Sequence, residues 1–146
     1  MGFRLDYDLQ QHGWADVTVE LDGQSRLLRV SYLSDALRDL LDAVWGLTNG
    51  AVETSVFLER EPTVWRWVLR RDGDSVLVDV QELEGRSERG EVVIHGSVAL
   101  AELATEFVRE GRRLLAEYGE DGYRERWVAN DFPSASLERL AAWDAS

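Results

Sequence analysis

The sequence predicts an α+β fold, in which two main amphipathic helices pack on one face of an antiparallel sheet of about five or six strands. Two observations carry this prediction. Alternating apolar residues flank Asp-Gly dipeptides at 22–23 and 72–73, and such dipeptides favour tight β-hairpins. Apolar residues also recur at three- and four-residue spacing after Ser34 and after Ser97, which is typical of helices that cover a sheet. The expected order is ββα-βββ(β)-αα.

The length and composition favour one globular unit. A chain of 146 residues fits one domain, so we expect residues 1–146 to share a single core. No apolar run approaches the roughly 20 residues of a membrane span, and charges occupy the N-terminal stretch where a signal peptide is apolar. We therefore expect a cytoplasmic protein with no membrane partner.

The charge balance narrows the classes of partner and of chemistry. Acidic residues outnumber basic ones by 28 to 16, giving a net charge of −12, and this field repels phosphate backbones. We expect no nucleic-acid partner. All basic residues are Arg, which removes Schiff-base lysine chemistry, and the lack of Cys removes thiolate nucleophiles and Cys-ligated zinc. An acidic surface favours a basic protein partner or serves solubility.

The first half of the chain predicts strands, a hairpin and a helix. Strict apolar alternation over residues 1–11 indicates a first strand. A two-residue loop at 22–23 gives the first hairpin one apolar and one wet face, with a definite register. It pairs Val17 with Leu28, Ala15 with Val30 and Asp16 with Arg29. Ser34 is the expected N-cap of a helix that ends near Gly46 or at Gly50, and residues 51–59 return to strand character.

The second half predicts a loop, a short strand and further helices. Residues 83–91 are polar and glycine-bounded, which indicates a surface loop, and 91–95 read as a short strand closed by Gly96. A long helix is expected from Ser97 until Gly119 and Gly122 end it, with a close packing contact at Gly111. A helical turn over 123–130 and a short helix ending near 143 complete the chain.

The predicted hairpin around residues 72–73 has two different faces, and one of them is a candidate binding surface. With 72–73 as the loop, one face pairs Leu69 with Val76, Trp67 with Val78 and Trp65 with Val80. The other face pairs Arg70 with Ser75, Val68 with Leu77, Arg66 with Asp79 and Val64 with Gln81. We expect the tryptophan face to meet the helices. The reverse face is a mixed surface suited to a protein partner or a second copy, and its predicted interaction patch is Arg66, Val68, Arg70, Leu77 and Asp79.

Candidate chemistry is sparse. His12 and His95 are the only histidines, and no HExxH, His-x-His or Ser-His-Asp spacing surrounds them. A catalytic or metal role for His95 is weighed against a surface or capping role, and the latter is favoured. Four carboxylates could converge at one end of the sheet and hold Mg²⁺ or Ca²⁺, although so acidic a chain makes proximity expected by chance. They are Glu59, Glu61, Glu82 and Glu84. We assign no catalytic residue, cofactor or metal site.

The six tryptophans are the stronger signal, because Trp is favoured both in cores and in interface anchors. The core explanation is the commoner one for most of them. Two segments, VWRWVLRRDGD (64–74) and YRERWVANDFPSASLERL (123–140), resemble those of small acidic proteins of GC-rich bacteria with no assigned function. That resemblance implies no activity, cofactor or site residue. In size and charge the chain is also similar to immunity proteins that neutralise basic toxins.

Two functional classes follow. The leading hypothesis is a non-enzymatic interaction or self-associating module with an acidic surface, which includes an immunity-protein-like role. The alternative is a small-molecule-binding or hydrolytic domain, whose cleft would lie between sheet and helices with His95 or a glutamate as its polar group. A cavity under the helices would favour the second class.

Overall fold

The computed structural model describes residues 2–85 and 90–143 and confirms an α+β fold with antiparallel strands. Within these residues, seven strands form two sheets, of order β1-β2-β3 and β4-β5-β6-β7, together with three helices. The elements are β1 (Phe3–Leu9), β2 (Trp14–Leu21), β3 (Gln24–Ser31), α1 (Ala36–Thr48), β4 (Glu53–Glu59), β5 (Thr63–Asp72), β6 (Ser75–Glu84), β7 (Gly90–Ala99), α2 (Leu100–Trp127) and α3 (Ser134–Ala141). The expected single sheet and two main helices are therefore wrong in detail, and residues 86–89 of the expected loop lie outside the described part.

The first hairpin follows its predicted register. Val17 pairs with Leu28 and Ala15 with Val30, as expected. The loop residues Asp22 and Gly23 have φ of 50° and 83°, and two positive φ values are the requirement of a type I′ turn. The Asp-Gly dipeptide thus fixed this register through backbone sterics.

The second hairpin keeps the predicted faces but not the predicted partners. Its loop is formed by residues 73–74, because Asp72 pairs with Ser75. Gly73 has φ of 60°, and glycine at the first loop position is typical of a type II′ turn. Every partner is displaced by two residues, which preserves the faces because the side-chain period of a strand is two. The observed pairs include Trp67 with Val80, Leu69 with Val78, Arg70 with Leu77, Val68 with Asp79 and Arg66 with Gln81.

Gly96 was misread as the end of a strand, whereas Gly119 does interrupt the long helix. β7 continues through Gly96 to Ala99, so the long helix begins at Leu100 and not at Ser97. A Cβ at Gly96 would lie 3.0 Å from Leu21 Cδ2, so glycine allows the first hairpin to approach this strand closely. Gly119 has φ of 69° and ψ of 176°, so it breaks the helix where the long helix was expected to end, and a second helical segment of α2 runs on to Trp127.

One core joins both sheets to the helices. Trp67 and Trp127 are fully buried, and Phe107 of α2 packs against Phe3 and Trp67 at ring-centroid distances of 5.7 and 6.2 Å. The sheets also meet through side chains, since Trp65 Nε1 donates to Arg29 O at 2.9 Å. The core explanation for these tryptophans is confirmed.

Helix α2 closes the free edge of β1. Carboxylates four residues apart on α2 accept the outward N–H groups of alternate β1 residues, in the pairs Glu102 with Phe3, Glu106 with Leu5 and Glu110 with Tyr7. Four helical residues rise about 6.0 Å and two strand residues about 6.8 Å, so the two repeats match. The side chains of one helix thus take the place of a neighbouring strand.

Candidate functional site

The outer face is the side of β4–β7 turned away from the helices. It alternates with the buried side, on which Trp67, Leu69 and Val78 have no solvent exposure. Its central residues form three rows across the four strands, flanked by a row that contains Asp72 and one that contains Glu59. The rows are Glu53, Arg70, Leu77 and Ser97; Ser55, Val68, Asp79 and His95; and Phe57, Arg66, Gln81 and Val92.

Charged groups on the outer face pair with one another across the strands. Arg70 Nη2 lies 2.8 Å from Glu53 Oε1, and Arg66 Nε donates to Gln81 Oε1 at 3.1 Å. His95 Nδ1 lies 3.7 Å from Asp79 Oδ1. The three rows hold two arginines and two carboxylates, so their formal charges cancel on a chain whose net charge is −12. These three central rows therefore repel another acidic molecule less than a surface with the protein's average charge would.

Apolar side chains interrupt these charges. Val68 and Leu77 are half-buried among them, and Val92 is 52% exposed. All five residues of the predicted interaction patch thus lie on this face. Their part in binding stays a prediction, because the geometry places them together without a partner being present.

The candidate chemical residues do not form a site in the described residues. His95 is more than half exposed and lines none of the five cavities we found. Glu82 pairs with Arg26 at 2.7 Å, on the opposite side of the sheet from the side chain of Glu59. Across residues 2–85 and 90–143 no group of three or more acids or histidines is placed to hold a metal ion.

The space between the sheets and the helices is filled. Trp67, Trp127, Tyr7, Tyr123 and Phe107 are its largest fully buried side chains. None of the five cavities is lined by Trp67, Trp127 or Tyr7. The cleft that the alternative hypothesis requires is therefore occupied by the core.

The structure contains a second surface that was not predicted from the sequence. The edge groove, with a volume of about 740 Å³, runs between α1 and β4, which is the end strand of its sheet. At one end, Glu59 N–H donates to Ser34 Oγ and Ser31 Oγ donates to Glu59 O, both at 3.0 Å. These two hydroxyls do what a neighbouring strand would do. The acidic residues Asp35, Asp39 and Asp42 of the α1 region line the groove as well.

Two carboxyl groups that line the edge groove, those of Asp35 and Asp39, have raised pKa values. Burial, with repulsion from Asp39 and Asp42, raises the pKa of Asp35 to about 6, although Arg38 opposes the shift. Burial also raises the pKa of Asp39, and Asp42 adds to it. Asp42 itself pairs with Arg139 at 2.9 Å. A further positive charge in the groove would therefore be stabilised.

The two surfaces differ in how far the sequence could reveal them. The spacing of Asp35, Asp39 and Asp42 at i, i+4 and i+7 is visible in the sequence and predicts one acidic helix face. That β4 is an edge strand beside this face depends on the division into two sheets, which hairpin signals do not encode.

Comparison with known proteins gives one structural likeness. A chain of the CdiA-CT/CdiI toxin and immunity complex from Enterobacter cloacae is similar over 74% of this chain and 99% of its own, with 11% sequence identity and a TM-score of 0.47. A likeness of this extent carries no functional argument. No protein-family model and no curated protein matches the chain. No helix among the described residues is long and apolar enough to cross a membrane.

Proposed function

We propose that this protein is a non-enzymatic interaction module whose outer face binds a second copy of the chain. The carrying observation is that formal charges cancel in the three central rows of the outer face, within a protein whose net charge is −12. Two such proteins repel one another at most approaches, and contact through a neutral, partly apolar patch lowers that repulsion. Val68 and Leu77 supply the apolar centre, and the pairs around Arg66, Arg70 and Asp79 supply the polar rim.

Light scattering during size-exclusion chromatography tests the proposal. We expect the wild type to have twice the monomer mass at micromolar concentration, and Arg66→Glu with Val68→Asp to return it to the monomer mass. Leu27→Asp is the matched control, because Leu27 is a 53% exposed apolar residue on the first sheet. A monomeric wild type, or equal dissociation by the control, would refute the proposal.

A second candidate role is binding a basic protein, as immunity proteins do with basic toxins. The supporting observation is the edge groove, whose three aspartates add local negative charge to an acidic chain. This role rests on the three aspartates, which lie outside the outer face, so it can be tested through them, although Ser55 and Phe57 belong to both surfaces. In either role we expect the protein to act in the cytoplasm, without a cofactor, nucleic acid or membrane as partner.

A further inference from the structure

We propose that a groove between α2 and α3, the helix groove, binds an aliphatic monocarboxylate, with the carboxylate on Arg112 and the hydrocarbon chain between the two helices. This binding site goes beyond the proposed function. It does not depend on the outer face, on the edge groove or on self-association.

The helix groove has apolar walls and the size of a ligand site. Its volume is about 680 Å³, and small-molecule sites typically have volumes of about 300–1,000 Å³. Helix α2 contributes Ala104 and Val108 to the walls, and the end of α3 contributes Leu140 and Trp143. Val108 and Trp143 also pack against the core, which holds these walls in place. A ligand can therefore bury hydrocarbon in the groove without displacing the core.

Helices α2 and α3 run antiparallel along the groove. At the start of α3, Ser134 Oγ donates to Glu120 Oε1 at 3.1 Å. Further along, a Cβ at Gly111 would lie 2.8 Å from Leu137 Cδ1. Residue numbers thus rise along α3 as they fall along α2. The end of α3 therefore lies beside the first half of α2, which agrees with the residues that line the groove.

The helix groove is long enough for an extended hydrocarbon chain. On α2 its lining runs from Ala101 to Arg112, and eleven residue steps of about 1.5 Å give a length of about 16 Å. Arg112 lies at one end of this length. An apolar trough with a cation at one end fits a ligand with an apolar chain and an anionic head group.

The charge of the helix groove is opposite to that of the chain as a whole. Among the described residues that line it are two arginines and no acidic residue. Each of the other four cavities is lined by at least one acidic residue, in a chain that has 28 of them. Of the five cavities, the helix groove is therefore the one that favours an anion.

Arg112 is the group that would bind the carboxylate. Arg109, the other arginine of the groove, is already paired with Glu106 at 2.6 Å and lies 3.8 Å from Glu110. Arg112 makes no ion pair and no hydrogen bond with any residue that the structure describes. None of its neighbours one turn away on α2 is acidic; they are Val108, Arg109, Leu115 and Ala116.

The charges also select a ligand with one negative charge. A guanidinium binds a carboxylate through two parallel hydrogen bonds, and Arg112 is free to make them. The net charge of −12 repels a dianion more strongly than a monoanion. We therefore name a monocarboxylate, and not a phosphate ester or a dicarboxylate, as the ligand class.

Decanoate is the probe, used below the concentration at which it forms micelles, and isothermal titration calorimetry measures its affinity. Hexanoate has four fewer CH₂ groups and should bind at least tenfold more weakly, because each CH₂ group removed from water contributes up to about fourfold in affinity. Decyltrimethylammonium carries the same length of chain with a positive charge. It should bind more weakly than decanoate, although the acidic protein attracts cations.

Variants at both ends of the groove locate the ligand. Arg112→Gln should weaken decanoate binding about tenfold. Its control is Arg60→Gln, which makes the same change of charge at an exposed residue that lines none of the five cavities. Ala101→Trp should fill the other end of the groove and weaken binding several-fold. Its control is Ala116→Trp, since both alanines are exposed on α2 and Ala116 lies outside the groove.

Four results would each overturn the proposal. They are no binding of decanoate, stronger binding of decyltrimethylammonium than of decanoate, equal effects of Arg112→Gln and Arg60→Gln, and equal effects of Ala101→Trp and Ala116→Trp. The second would show only the attraction of a cationic amphiphile to an acidic protein. The last two would show that decanoate binds elsewhere on the chain.

Discussion

The buried carboxylate of Glu110 accepts the backbone N–H of Tyr7 across the interface between α2 and β1. Glu110 is 1% exposed, and Arg113 donates to it at 2.8 Å while also bonding Tyr7 O at 2.7 Å. Glutamate and arginine together therefore satisfy both outward groups of one strand residue. This pair is the innermost part of the contact that closes the β1 edge.

Glu110→Ala should lower the free energy of unfolding by about 3 kcal/mol, because it leaves the Tyr7 N–H buried without an acceptor and leaves Arg113 with only its exposed ion-pair partner, Glu117. Chemical denaturation monitored by circular dichroism measures the loss. The matched control is Glu117→Ala, which removes a carboxylate from the same arginine, at 3.0 Å, in an exposed position. That control should cost less than about 1 kcal/mol, and similar costs for both would contradict the role of the buried bond.

Gly111→Val should separate α3 from α2. A Cβ at Gly111 would already lie 2.8 Å from Leu137 Cδ1, and the branched side chain adds bulk that the flexible end of Leu137 cannot avoid. We expect a loss of about 2 kcal/mol in thermal or denaturant unfolding. Gly122→Ala is the contrasting change: its Cβ would meet Tyr118 Cβ at an ordinary 3.4 Å, so added helix propensity should stabilise the protein by up to about 1 kcal/mol. Destabilisation by Gly122→Ala alone would refute this account.

These contacts show what local sequence signals can and cannot specify. The dipeptide at 22–23 determines its own register, and the alternation of β1 identifies its buried face, because both depend on residues close in the chain. The division into two sheets depends on distant contacts, such as that of Gly96 with Leu21. The predicted interaction patch lies on one face because the two-residue error of register preserved side-chain direction. The edge groove could not be predicted, because no local pattern states which strand is left unpaired.

Asp35→Asn should stabilise the protein at neutral pH. The pKa of Asp35 is raised to about 6 by burial and by the neighbouring Asp39 and Asp42, so the folded state favours the protonated carboxyl. Its contribution to stability is present below the unfolded value of 3.8 and is lost as the pH rises to about 6. Asparagine removes this penalty at no cost in capping, because the N-cap of α1 is Asp35 rather than the expected Ser34 and its side chain makes no capping hydrogen bond. We expect a gain of about 1 kcal/mol at pH 7 after allowing for solvent screening, and almost none near pH 4.

Unfolding curves recorded from pH 4 to pH 8 measure this effect. Asp121→Asn, an exposed position on α2, is the control and should follow the wild-type profile. A gain from Asp35→Asn that is independent of pH would mean that relief of a buried charge is not its cause.

Glu106→Gln should have the opposite pH dependence. Burial alone would raise the pKa of Glu106, but hydrogen bonds from Arg109 and from the Leu5 N–H outweigh it and lower the pKa. Its contribution to stability is therefore present above the unfolded value of 4.5 and is lost as the pH falls through the lowered folded value. Glutamine can still accept the Leu5 N–H but loses the ionic bond, so we expect a cost of about 1 kcal/mol at pH 7 that shrinks in acid. The charge of Asp35 has the opposite effect on how stability depends on pH. The double variant Asp35→Asn/Glu106→Gln should therefore show a flatter profile of stability against pH than the wild type. A steeper profile would contradict both assignments.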